Sequence, residues 1–137
     1  MTKRRIFISF DHDDSQQVNG FLGLRSIIDG FDFYNHKLDR RINSGDSDYM
    51  GRTIRDEYIR PASVTVVLIG NNTANSKWVE WEIQTSKELG KGILGIQLKD
   101  TSGAIPLGIP QDAVGSWQPE KFPAWIEWAY QQSLKQK

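Results

Sequence analysis

The chain has 137 residues, enough for one domain with its own core and too few for two ordinary ones. Its 17 basic residues balance 17 acidic ones, so it lacks the basic footprint that phosphate binding usually leaves, which argues against nucleic acid as a partner. With no cysteine, disulfides, a thiolate nucleophile and Cys-ligated metals are excluded.

The opening MTKRRIFISF starts basic, but its apolar run is too short for a signal peptide and meets DHDD at once. No stretch approaches the roughly 18 apolar residues that a membrane span needs. A cytoplasmic protein without a membrane partner is expected. Arg5 to Phe10 reads as a buried strand, because Ile6, Phe7 and Ile8 follow one another without polar interruption. Asp13 to Ile28 reads as a helix, with Val18, Phe21, Leu22, Leu24 and Ile28 at helical spacings and Gly30 as its stop. Phe31 to Asn35 is a shorter strand candidate. Residues 36–47, HKLDRRINSGDS, are polar, carry Gly45 and read as a long loop. Asp46, Ser47 or Asp48 can cap a helix that runs to about Ile59, with Met50, Ile54, Tyr58 and Ile59 inward and Pro61 marking its end.

SVTVVLIG, residues 63–70, is nearly continuous in β-branched apolar residues, as expected of a strand covered on both faces. The loop NNTANS offers Ser76 or Asn75 as N-cap for a helix from Lys77 to about Leu89, which Gly90 terminates. GILGIQL, residues 92–98, is another buried strand. Residues 99–118 form an irregular connection, within which Ala113 to Trp117 reads as a short edge strand. A last helix starts at Pro119 or Pro123 and runs to Leu134, with Trp125, Trp128 and Ala129 packing back. Alternating strands and helices predict a three-layer α/β domain over residues 1–137, flavodoxin-like in layout. Its mostly parallel central sheet has about five strands, with helices on both faces. Ligands in such folds bind beyond the carboxyl ends of the strands, where strand order reverses. Three loops meet there: Phe10–Asp14, His36–Ser47 and Gly70–Lys77.

Several chemistries can be weighed at these loops. DHDD, residues 11–14, invites a Mg²⁺ site, yet serves equally as an N-cap with acidic residues in the first turn. A phosphate-receiver domain needs an acceptor Asp at the end of the third strand, where this chain has Gly70, Asn71 and Asn72. An FMN site needs a hydroxyl- and Gly-rich loop after the first strand, and acidic residues would repel its phosphate. Neither GxGxxG nor GxxxxGK[ST] occurs. His12 and His36 lack metal-ligand spacing and read as loop residues. Ser9 lies within a strand, and no GxSxG nucleophile elbow is present. Lys37, Arg40, Arg41, Arg52 and Arg55 could meet phosphates or form a solvated face.

The most distinctive stretch is NSKWVEWEI, residues 75–83. With Ser76 as N-cap, Val79, Ile83 and Ser86 face the sheet, and Trp78, Glu82, Thr85 and Leu89 form the adjacent stripe. Glu82 is expected beside Trp78 at the upper rim of the sheet, partly desolvated. Glu80, about 200° around the helix, is expected in solvent. A partly desolvated carboxylate beside an indole is suited to hold a ligand hydroxyl, but it can also simply complement the helix N-terminus.

RRIFISFDHDD, SVTVVLIGNNTANSKWVEWEI and GKGILGIQL together resemble the TIR-like family that includes the B component of the Thoeris anti-phage system. The likeness runs from about residue 4 to residue 98, and its specific part is Val64 to Ile83. The resemblance implies a TIR-like fold and NAD⁺ chemistry, with NAD⁺ as substrate, no separate cofactor and no metal. It implies that Glu82, four residues after Trp78, is the catalytic carboxylate that cleaves the bond between nicotinamide and ribose. Phe10 and Trp78 would stack on nicotinamide or adenine, and Asp11, Asp39, Asn43 and Ser44 would line the mouth. It further implies a cyclic ADP-ribose isomer as product, a separate effector that this diffusible nucleotide activates, a phage-derived trigger and a homo-oligomer. TIR domains also include non-catalytic adaptors that self-associate, and that alternative stays open.

Overall fold

The computed structural model describes residues 4–11, 17, 20, 23, 33–35 and 51–135. Five parallel strands form one sheet: β1 (Arg4–Phe10), β2 (Phe33–Asn35), β3 (Val64–Ile69), β4 (Gly92–Gln97) and β5 (Val114–Gly115), in the order β2-β1-β3-β4-β5. The α/β fold and parallel sheet are as the sequence predicts. β5 is shorter than the expected edge strand. Only Val114 and Gly115 pair, opposite Gly95 and Ile96, and Trp125 lies so close over Gly115 that a Cβ there would be 2.4 Å from its ring.

Helix α1 (Lys77–Glu88) packs on one face of the sheet and helix α2 (Phe122–Lys135) on the other. Alternation along each strand divides the core. Ile6, Ile8 and Phe10 join Val66, Leu68, Leu94, Ile96, Phe122 and Ile126 under α2. Val67 and Ile69 meet Val79 and Ile83 of α1, while Phe7 meets Ile54 and Ile59. Every residue of β3 is buried, which accounts for a run that is apolar at every position but Thr65.

Three details depart from the periodicity. The helix before β3 is π-wound over Ile54–Ile59, closed by Arg60 N–H donating to the Arg55 carbonyl at 2.8 Å. The wider turn still buries Ile54 and Ile59 and leaves Tyr58 half-buried; Met50 and the expected caps lie outside the described residues. α2 begins at Phe122, since Pro119–Lys121 is wound as a 3-10 turn. Its Ala129 and Trp125 pack back as expected, but Trp128 is 36% exposed. Between β1 and β2, Gln17, Gly20 and Gly23 are helical and exposed, three apart on an outer face; the apolar residues expected on the inner face lie outside the described residues. Among the described residues no helix is long and apolar enough to cross a membrane.

Candidate functional site

The strand order reverses at β1. The chain leaves β1 for β2 on one side and returns to β3 on the other, so the switch point lies at the carboxyl ends of β1 and β3. Ser9 is one residue from the end of β1, level with Val67 of β3. α1 descends from that end of the sheet. Ser76 caps it as expected, its side chain accepting from the Val79 N–H at 3.3 Å. Gly90, with φ of 73°, ends the helical run through a left-handed residue.

Glu82 does not sit at an open rim beside Trp78. It faces the sheet, has no exposed surface, and its Oε1 accepts a hydrogen bond from the Ser9 hydroxyl at 2.7 Å. The helical wheel turns it far enough inward to join Val79, Ile83 and Ser86, all fully or almost fully buried. Glu80 is exposed, as expected. One turn below Glu82, the Ser86 hydroxyl lies 2.7 Å from Thr65 Oγ1 and also bonds the Glu82 carbonyl at 2.7 Å. Two polar contacts thus cross an otherwise apolar helix–sheet interface. Burial penalises a carboxylate and a donated hydroxyl stabilises it, so Ser9 offsets part of the desolvation cost of Glu82.

The other expected site residues divide. Trp78 is half-buried and stands edge-on to Trp81, ring centroids 5.7 Å apart at 86°, both packed against Phe7, Ile54, Ile59 and Ala62. Phe10 does not share a face with Glu82. It is 3% exposed and belongs to the core under α2, because it follows Ser9 directly and successive strand residues point to opposite faces. In this arrangement Phe10 packs as a core residue, where the sequence leads one to expect a stacking surface. Asp11, just past β1, is half-buried at the same end of the sheet. Asp39, Asn43 and Ser44 lie outside the described residues, as do Asp13 and Asp14 of the acidic stretch and both histidines. Ser9 and Trp81, which contact Glu82 and Trp78, were not among the expected site residues. A signal for Ser9 existed: in a strand otherwise apolar from Ile6 to Phe10, one hydroxyl needs a buried partner.

Comparison with known proteins points to a family. A model of the family described as "Thoeris protein ThsB, TIR-like domain" matches residues 7–102, well over half of the chain. The chain is also similar to a Bacillus cereus (strain MSX-D12) protein named "Putative cyclic ADP-D-ribose synthase ThsB1", 50% identical over 46 residues. That match takes in 31% of this chain and 24% of the other protein, so the chain matches about a quarter of that relative's length. The matched family region runs from within β1 through β4 and holds both partners of the Ser9–Glu82 contact. The chain belongs to the TIR-like domain family of the Thoeris protein ThsB.

Proposed function

We propose that this protein cleaves the nicotinamide–ribose bond of NAD⁺ and closes the product into a cyclic ADP-ribose isomer, a diffusible signal that activates a separate effector during phage infection. The observation that carries the reading is Glu82, a carboxylate on the helix after β3, held by Ser9 at the switch point of the sheet. The name of the Bacillus cereus relative supports the cyclic product.

Nicotinamide leaves as a neutral molecule from a cationic precursor, so no general acid is required. Its departure gives an oxocarbenium-like ribose of the kind formed in glycoside hydrolysis. One carboxylate can hold ribose hydroxyls and stabilise that positive charge, and preorganised stabilisation of developing charge is usually the largest catalytic term. Trp78 supplies a half-exposed aromatic surface on the same helix. NAD⁺ is substrate here, and the reading needs no further cofactor. With Glu82 enclosed, turnover requires a trigger or self-association that uncovers it.

Mass spectrometry of NAD⁺ incubated with lysate from phage-infected cells expressing the protein tests the reading. Nicotinamide and a cyclised product are expected, and Glu82→Gln should lower their formation by about 100-fold or more, the scale on which removal of a preorganised charge-stabilising group acts. Unchanged turnover in Glu82→Gln would remove Glu82 from the chemistry. The full burial of Glu82 favours one other reading, a non-catalytic adaptor that works by self-association. In that case Glu82→Gln leaves phage protection intact, and charge reversal at Arg40 or Arg41 abolishes it.

A further inference from the structure

We infer that Ser9 is a positioning residue: its hydroxyl sets the orientation of the Glu82 carboxylate, while Thr65 and Ser86 fix the helical turn that carries it. The inference rests on the reading of Glu82 as the reacting group. It begins from spacing. Ser9 is level with Val67 and Phe7 with Thr65, so the two sheet hydroxyls stand two residue levels apart, about 6.6 Å along the strands. Their helix partners, Glu82 and Ser86, are four residues apart, about 6 Å along the axis. The two repeats match, and α1 can satisfy both contacts in one position.

The second contact reaches the backbone. Ser86 joins Thr65 of the sheet to the carbonyl of Glu82 itself, tying the main chain at the reacting residue to β3. The first contact acts on the side chain. The terminal torsion of a glutamate is broad, so backbone placement alone leaves the carboxyl plane free to turn. One hydroxyl on Oε1 removes that freedom. A carboxylate has about four acceptor positions, so this bond orients the group without exhausting it.

Stability alone gives little reason for the arrangement. Replacing a buried hydrogen-bonded pair by apolar groups of similar shape is commonly neutral or favourable. β1 is otherwise apolar from Ile6 to Phe10, and the helix face around Glu82 carries Val79 and Ile83. A hydroxyl aimed at a carboxylate, one residue from the strand end where ligands enter such folds, is accounted for by the need to hold that carboxylate in a set direction.

The test uses Ser9→Ala and Ser9→Thr in the full chain, with two readouts. The first is NAD⁺ turnover under the conditions in which the parent protein is active. Ser9→Ala should lower kcat by about 10- to 100-fold, the scale of a small misplacement of a catalytic group, with KM changed less than about threefold. Ser9→Thr, which keeps the hydroxyl, should recover most of the loss; if its extra methyl prevents folding, Ser9→Cys, close in size and a weak donor, should behave as Ser9→Ala does. The second readout is the infrared carboxyl band identified by its loss in Glu82→Gln, which should shift in Ser9→Ala. A lower Tm with unchanged kcat in Ser9→Ala would overturn the inference, as would an unmoved Glu82 band. If the parent protein does not turn over NAD⁺ while the band shifts, the proposed function fails and the orienting role of Ser9 stands.

Discussion

Ser86 works in two directions at once, towards Thr65 on the sheet and back to the carbonyl of Glu82, and all three residues are fully buried. Removing one hydroxyl of such a pair leaves the other buried without its partner. Ser86→Ala should therefore destabilise by about 1–3 kcal/mol, and Thr65→Val by less, because Ser86 keeps its bond to the Glu82 carbonyl. The double variant should cost less than the sum, because neither side then buries an unmatched polar atom. Urea unfolding of the four proteins measures that coupling, and strict additivity would show the two hydroxyls to be independent. At the start of the same helix, Ser76→Ala removes the side-chain acceptor for the Val79 N–H and should cost about 1 kcal/mol. Glu82→Gln is the contrasting case. Gln keeps an oxygen that can accept from Ser9 and buries no charge, so folding should be preserved while chemistry is lost, which makes it a clean probe of the proposed reaction.

Elements show what a one-dimensional pattern can and cannot carry. β3 and β4 were legible because strands covered on both faces are mostly apolar, and VTVVLI is apolar at every position but Thr65. α1 was legible at both ends, since a hydroxyl cap and a glycine stop act locally. The π-winding of Ile54–Ile59 was not, because burial of Ile54 and Ile59 fits ordinary helical spacing almost as well. Within it, Asp56 hydrogen-bonds Arg55 at 3.1 Å and Arg60 at 3.3 Å. The hydrogen bond from Arg55, then that from Arg60 and the charges of both, hold the Asp56 carboxyl below its ordinary value. A lowered folded-state pKa means the contribution is present above about pH 4 and lost as pH falls through the folded value. Asp56→Asn should make thermal stability slightly less sensitive to acid in that window, an effect kept small by the solvent exposure of the group. The seat of α2 on β4 makes a stronger demand. A Cβ on Gly92 would lie 2.5 Å from the Ala129 carbonyl oxygen, a backbone atom that cannot swing aside. Gly92→Ala should lower stability by about 1–3 kcal/mol through overpacking, read as a drop in the urea midpoint.

Across the whole molecule, strand order decides where chemistry can sit, and the alternation of elements was enough to anticipate a parallel sheet with the loops after β1, β2 and β3 at one end. The carboxylate proposed to react was singled out in NSKWVEWEI through the family resemblance. Its surroundings were not legible. Ser9 and Glu82 are 73 residues apart, and a helical wheel drawn for α1 alone contains nothing about β1. The same limit applies to Phe10, whose side of the sheet follows once Ser9 is known to face α1. The matched repeats beneath α1 have one more outcome. Slipping the helix by a full turn, about 5.4 Å, would break both hydroxyl contacts together and strand a carboxylate against hydrocarbon. α1 is thereby detented, like a bolt dropped into two notches, and access to Glu82 must come from chain around it giving way while the bolt stays home. Hydrogen exchange during NAD⁺ turnover should find the amides of Ile83 to Lys87 as slow as at rest, with any acceleration confined to segments outside α1.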